Sequence, residues 1–88
     1  MKTEVLSDVF IINKLSAAMK FSIFCNKKGH FSNILKSDNI LRVSKKRWFD
    51  VKVVYNINEA ENTEEIISTI KVLRVFLELN RIEYITKE

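Results

Sequence analysis

Proline is absent from this 88-residue chain, and glycine occurs once, at Gly29. Average usage is about 5% and 7%, so few positions can hold a sharp turn or a positive φ angle. A glycine-rich phosphate loop is excluded by count. Cys25 is the only cysteine, which excludes an intramolecular disulfide and a thiolate metal cluster within one chain and suits a reducing compartment. His30 is the only histidine. No apolar run approaches the roughly 18 to 20 residues that a membrane span requires. The opening Met1-Lys2-Thr3-Glu4 reaches Asp8 before any long apolar segment, so it does not read as a secretory signal. A cytoplasmic location is expected, with the nucleus left open.

What is present favours folding. Hydrophobic residues make up 47% of the chain and charged residues 30%, too apolar for disorder. One domain over residues 1–88 is expected, burying only about 60–65% of the surface of the unfolded chain. Isoleucine, asparagine and lysine are abundant, a skew that accompanies AT-rich genomes, including those of many viruses and phages. The charge is polarised. Residues 20–52 carry nine basic side chains against two acidic ones, a local net of +7, whereas residues 59–88 carry four against seven, a local net of −3. Such a field favours encounters with anionic partners.

Spacings of three and four at Val5, Val9, Ile12, Leu15 and Met19 predict a helix over residues 4–19. The β-branched run Val9-Phe10-Ile11-Ile12 offers a competing reading as a short buried strand. Period-two alternation of Phe21, Ile23 and Cys25 predicts a strand that turns through residues 26–30, with Gly29 at positive φ, and returns over residues 31–36. A short strand is expected at residues 40–43 after the turn signal Ser37-Asp38-Asn39. The clearest strand is residues 47–57, where Phe49, Val51, Val53, Tyr55 and Ile57 form an apolar face. A second helix is expected from Asn62, with Glu65 placed for a capping box, through Asn80, which is suited to a left-handed helix end. A final strand follows at residues 81–86. The reading is a small α+β domain, an antiparallel sheet with two helices packed on it, in the approximate order α-β-β-β-β-α-β. Apolar residues cover more of the second helix than one sheet can bury, which predicts a homodimer through Val72, Val75, Phe76 and Leu79.

Catalytic constellations are scarce. Cys25 falls at an apolar position, where a thiol is inert, and His30 sits beside Lys27 and Lys28, which disfavour its charged form. Glu59, Glu61, Glu64 and Glu65 suit the electropositive start of a helix better than acid–base work. No D-x-D-x-D loop or zinc-ligand spacing is present. The expectation is a protein that is not an enzyme and uses no metal or other cofactor.

The remaining signal is cations interleaved with aromatics. Lys45-Lys46-Arg47-Trp48-Phe49 and Lys27-Lys28-Gly29-His30-Phe31 combine phosphate-neutralising charge with stacking faces. Lys27, Lys28, His30, Lys45, Lys46, Arg47 and Trp48 are therefore the candidate contacts to nucleic acid, with RNA or a single strand favoured and Trp48 as the stacking residue. Lysines also decorate turns for solubility alone, and Phe31, Phe49 and Trp48 also suit a core. The alternative is a viral or phage-type module that uses the same basic face to bind and inhibit a host or toxin protein through an acidic surface. Double-stranded-RNA-binding domains also place three strands between two helices. Their second helix begins with basic and glycine residues, and the acidic start here departs from that pattern, as does the absence of a ribonucleoprotein-type aromatic sheet motif. The residues place the chain in no family.

Overall fold

The computed structural model describes residues 6–37, 48–56 and 63–87. In chain order the elements are β1 (Ser7–Ile12), α1 (Leu15–Lys27), β2 (Phe31–Lys36), β3 (Phe49–Val54), α2 (Thr63–Leu79) and β4 (Tyr84–Lys87). The four strands form one sheet in the order β2-β3-β1-β4, and every neighbouring pair is antiparallel. Two helices lie on this small sheet, as the α+β reading expects. The connectivity is β-α-β-β-α-β, the arrangement of elements called ferredoxin-like, which hosts many unrelated functions.

Two local expectations are overturned near the start of the chain. The helix expected over residues 4–19 does not form as one element, because Ser7–Ile12 is a strand that pairs on one side with β3 and on the other with β4, and helix begins only at Leu15. Its β-branched and aromatic run fits a central position, where Phe10 and Ile12 are fully buried. Residues 21–25 are not a strand, because they lie inside α1. Phe21 and Cys25 are four apart as well as two and two apart, and the helical spacing is the one realised, with Ala18, Phe21 and Cys25 facing inward and Ile23 exposed. The strand expected at residues 40–43 lies outside the described residues, as does the Asn62 cap.

The core is one cluster built from both layers. Phe10 and Ile12 of β1, Val51 and Val53 of β3, Tyr55, and Ala18, Phe21 and Cys25 of α1 join Leu73 and Leu77 of α2. The inward alternation of Val51, Val53 and Tyr55 matches the expected apolar face. The helices meet through Phe24 and Phe76, whose rings stack with centroids 4.0 Å apart. Phe76 is thus spent largely on the α1 contact, leaving Val72, Val75 and Leu79 as the exposed part of the expected dimer surface.

Both helices end in the same hydrogen-bonded motif. After α1 the Gly29 amide donates to Asn26 O and the His30 amide to Cys25 O, the paired bonds of a Schellman turn, with Gly29 at φ 89°. After α2 the Arg81 amide donates to Glu78 O and the Ile82 amide to Leu77 O, with Arg81 at φ 53°. The left-handed residue is therefore Arg81 and not Asn80. Asn80 instead donates from its side-chain amide to Phe76 O at 2.8 Å. A left-handed arginine bears a steric cost of about 1 kcal/mol that glycine avoids. Arg81→Gly is accordingly expected to raise stability by roughly 1 kcal/mol in urea denaturation, whereas Gly29→Ala, in open space but at positive φ, lowers it by a similar amount.

Candidate functional site

Strand alternation divides the sheet into a helix-covered face and a face on which no described helix packs. The register assigns the residues of the second face in rows. Phe31 lies opposite Val54, which lies opposite Ser7; Asn33, Lys52 and Val9 form the next row; Leu35, Asp50, Ile11 and Ile85 form the third. Two ends of this face differ. Near the third row Ile11 is only 6% exposed, and Trp48, two residues before Asp50, is likewise 6% exposed. At the other end Phe31 is 66% exposed, with Asn33 and Lys52 open to solvent beside it.

Phe31 is exposed because of which neighbours β2 keeps. Ser32 points to the helix layer, where its hydroxyl meets the Ser22 hydroxyl and donates to Asn26 Oδ1. Ile34 packs against the core from the same side. Phe31, Asn33 and Leu35 are consequently turned outward. The sequence signal for this was present in the pattern Ser32, Ile34 against Phe31, Asn33, Leu35, yet composition favours the aromatic as the core member. Here the small hydroxyl is turned inward and half-buried, and the phenyl ring is left outside.

Of the expected contact residues that are described, Lys28 and His30 line one cleft, whereas Trp48 is buried. Lys27 and Lys28 are exposed at the C-terminal end of α1, with the Lys28 ammonium 5.5 Å from the centroid of the Phe24 ring, a cation–π geometry. Lys45, Lys46 and Arg47 lie outside the described residues. Trp48 is buried, so its ring has no open stacking face, and its indole N–H, like one carboxylate oxygen of Asp50, lacks a hydrogen-bond partner. His30 is also buried rather than presented on a solvated turn. Its Nδ1 accepts the Asn56 amide at 3.1 Å, and its ring meets Tyr55 edge-on at 5.5 Å. An accepting Nδ1 places the proton of the neutral ring on Nε2.

Two clefts flank the helix layer at its ends. His30, Lys28, Asn56, Glu65 and Ser68 line one of about 300 Å³. At the other end Lys14, Lys20 and Arg81 line an open cleft of about 480 Å³, together with Glu83, whose carboxylate accepts from Asn13 Nδ2. No group of three or more His, Cys, Asp or Glu suited to a metal ion occurs among the described residues. Burial pushes the Cys25 thiol up to about 12, which leaves it protonated and unreactive at neutral pH. No described helix is long and apolar enough to cross a membrane. Comparison of the chain with protein-family models, with curated proteins and with solved structures finds no match.

Two part-buried polar contacts tie Tyr55 and His30 into this end of the domain. Tyr55 Oη donates to Asp8 Oδ2 at 2.8 Å; burial and the adjacent carboxylate both push the phenol's pKa upward. Tyr55→Phe is expected to cost about 1.5–3 kcal/mol, the range for a hydrogen bond to a carboxylate. For His30, burial holds the pKa below its ordinary 6.5. A histidine depressed in the folded state binds its proton more readily when unfolded. Its contribution is therefore fully present above pH 6.5 and is lost as pH falls through the lower native value. Urea midpoints measured from pH 7.5 down to 5 are expected to drop in the native protein, and His30→Gln is expected to flatten that dependence.

Proposed function

We infer that the protein is a non-enzymatic nucleic-acid-binding domain that takes a single strand, RNA by preference, across the open end of its sheet. The observation that carries this reading is Phe31, an aromatic ring two-thirds exposed on the helix-free face. It neighbours Asn33 along β2 and lies one row from Lys52. An exposed ring supplies a stacking platform for an unpaired base, worth about 1–3 kcal/mol per base. Asn33 supplies an amide for base edges and Lys52 a cation for phosphate. Lys27 and Lys28, four and three residues before Phe31, add cations at the adjoining end of α1, and the Lys45-Lys46-Arg47 segment adds three further charges to the chain.

Phe31 takes the stacking role first assigned to Trp48, since a buried indole would have to leave the core to reach a base. The proposed site is thus an aromatic and amide surface with basic flanks. It is not a uniformly basic face. Binding of this kind loses affinity steeply with salt, because each phosphate contact releases a condensed cation.

A second reading is supported by a different observation. Leu15, Met19, Ile23, Ile67, Val75 and Leu79 are large apolar side chains exposed on the outer helix surfaces, more than a domain of this size commonly leaves open. They suit a protein–protein module, including one of viral or phage type that blocks a host or toxin protein.

Fluorescence anisotropy with a labelled single-stranded RNA, repeated across salt concentrations, separates the two. Phe31→Ala is expected to weaken binding by roughly tenfold while leaving the salt slope intact. Lys52→Gln or Lys28→Gln is expected to reduce that slope by about one. Absence of binding at low salt, or binding indifferent to Phe31, would overturn the nucleic-acid reading and leave the apolar helix surfaces as the place to seek a partner.

A further inference from the structure

β2 stands at the edge of the sheet, paired with β3 alone. The Ser37 amide donates to Trp48 O at 2.9 Å, so in the alternating antiparallel pattern the backbone groups of Phe31, Asn33 and Leu35 also point toward β3. Those of Ser32, Ile34 and Lys36 point away, toward an edge with no neighbouring strand among the described residues. An open edge of this sort invites another strand unless a proline, bulge or inward charge blunts it. β2 has no proline, and its only charge is Lys36 at its last position.

Apolar surface flanks that edge in both layers. Phe31 and Leu35 are 66% and 56% exposed on the helix-free face. On the other side, α1 leans over β2 through the Ser22 and Asn26 contacts to Ser32. Leu15, Met19 and Ile23, spaced four apart along α1, are each about half exposed and lie on the outward part of the helix adjoining that contact. All five side chains are about half exposed or more and together supply an apolar centre for the roughly 800 Å² per partner that a standard stable interface buries. Backbone and polar rim supply the remainder.

We propose that β2 pairs antiparallel with β2 of a second copy of this chain, centred on Asn33, to make one continuous eight-stranded sheet across a two-fold axis. The sequence is self-complementary in that register. Residues opposite one another must share a face, which places Phe31 against Leu35 of the second copy, and Leu35 against its Phe31. Aromatic–aliphatic cross-strand pairs of this type stabilise antiparallel ladders. Ser32 and Ile34 then exchange their free backbone bonds with Ile34 and Ser32 of the other chain, and the α1 stripes approach across the axis. A second copy fits better than an unrelated strand because the edge, its register and both apolar flanks are satisfied by the same surface twice, as a two-fold interface demands. The proposal moves the expected dimer contact from α2 to β2, and it stands whether or not the protein binds nucleic acid.

Sedimentation velocity of the full chain at high micromolar concentration tests it, with circular dichroism confirming that each variant is folded. The wild type is expected to be a dimer. Leu35→Glu, at a solvent-exposed position, is expected to weaken dimerisation by roughly tenfold or more by setting a carboxylate against a phenyl ring. Adding Phe31→Lys to Leu35→Glu places Lys opposite Glu in both pairs and is expected to restore the dimer. Leu79→Glu on α2 should leave it intact. In the proposed register Asn33 faces its own counterpart in a non-hydrogen-bonded pair, with Cα atoms about 4.5 Å apart, within disulfide reach. Asn33→Cys should therefore cross-link under mild oxidation while Lys52→Cys does not, the native Cys25 being buried. A wild-type monomer, dissociation by Leu79→Glu in place of Leu35→Glu, or failure of the Lys–Glu pair to rescue would overturn the proposal.

Discussion

Phe10 lies where the layers of the domain meet. It is fully buried on β1, one of the two central strands of the sheet, and its ring meets Phe21 of α1 edge to face at 5.0 Å and approaches Tyr84 of β4 at 6.1 Å. An edge-to-face pair adds about 0.5–1.5 kcal/mol to the gain from burial alone. In a chain of this length, whose total stability is on the order of 4–13 kcal/mol, that contact joins the sheet to the helix layer at its centre. β1 must be central for it to form, and α1 must begin immediately afterward to bring Phe21 over the strand.

The consequence for function is geometric. Both helices are committed to one face of the sheet, where Val51, Val53, Leu73 and Leu77 have no exposure. The other face is left to whatever its own side chains can hold. On that face Ile11 and Trp48 are covered, while Phe31, Asn33, Lys52 and Leu35 are open to solvent. The open surface carries a ring, an amide and a cation, and it adjoins a strand edge that no described strand covers. Among the described residues the one thiol is buried and protonated, and the imidazole already accepts a backbone amide. The proposed recognition by stacking, charge and strand pairing draws on the side chains of the open sheet face.

The later part of the fold was readable because its signals did not compete. The alternation from Phe49 to Tyr55 has period two with no helical counterpart, and the apolar spacing across α2 runs for more than four turns. The first third was ambiguous for a physical reason. Phe21, Ile23 and Cys25 satisfy a strand at period two, while Ala18, Phe21 and Cys25 satisfy a helix, and only the pairing of β1 with β3 and β4 decides between them. Gly29 was rightly seen to need positive φ, but it ends a helix and does not turn a hairpin. The site was less legible than the fold. Trp48 looks like a surface anchor beside three cations, yet it is buried, and His30 looks solvated beside two lysines, yet it receives the Asn56 amide. The alternation of Ser32 and Ile34 against Phe31, Asn33 and Leu35 is visible in the sequence, but which set turns inward depends on Ser32 finding partners in α1.

The most direct test of the account is an amide-resolved nuclear magnetic resonance titration of the isotopically labelled protein with a short single-stranded RNA. The account predicts that the largest shift changes fall on Phe31, Asn33, Lys52 and Val54 of the helix-free face, with smaller ones at Lys27 and Lys28. Changes confined to the outer surfaces of α1 and α2, or a spectrum unmoved at saturating RNA and low salt, would contradict it.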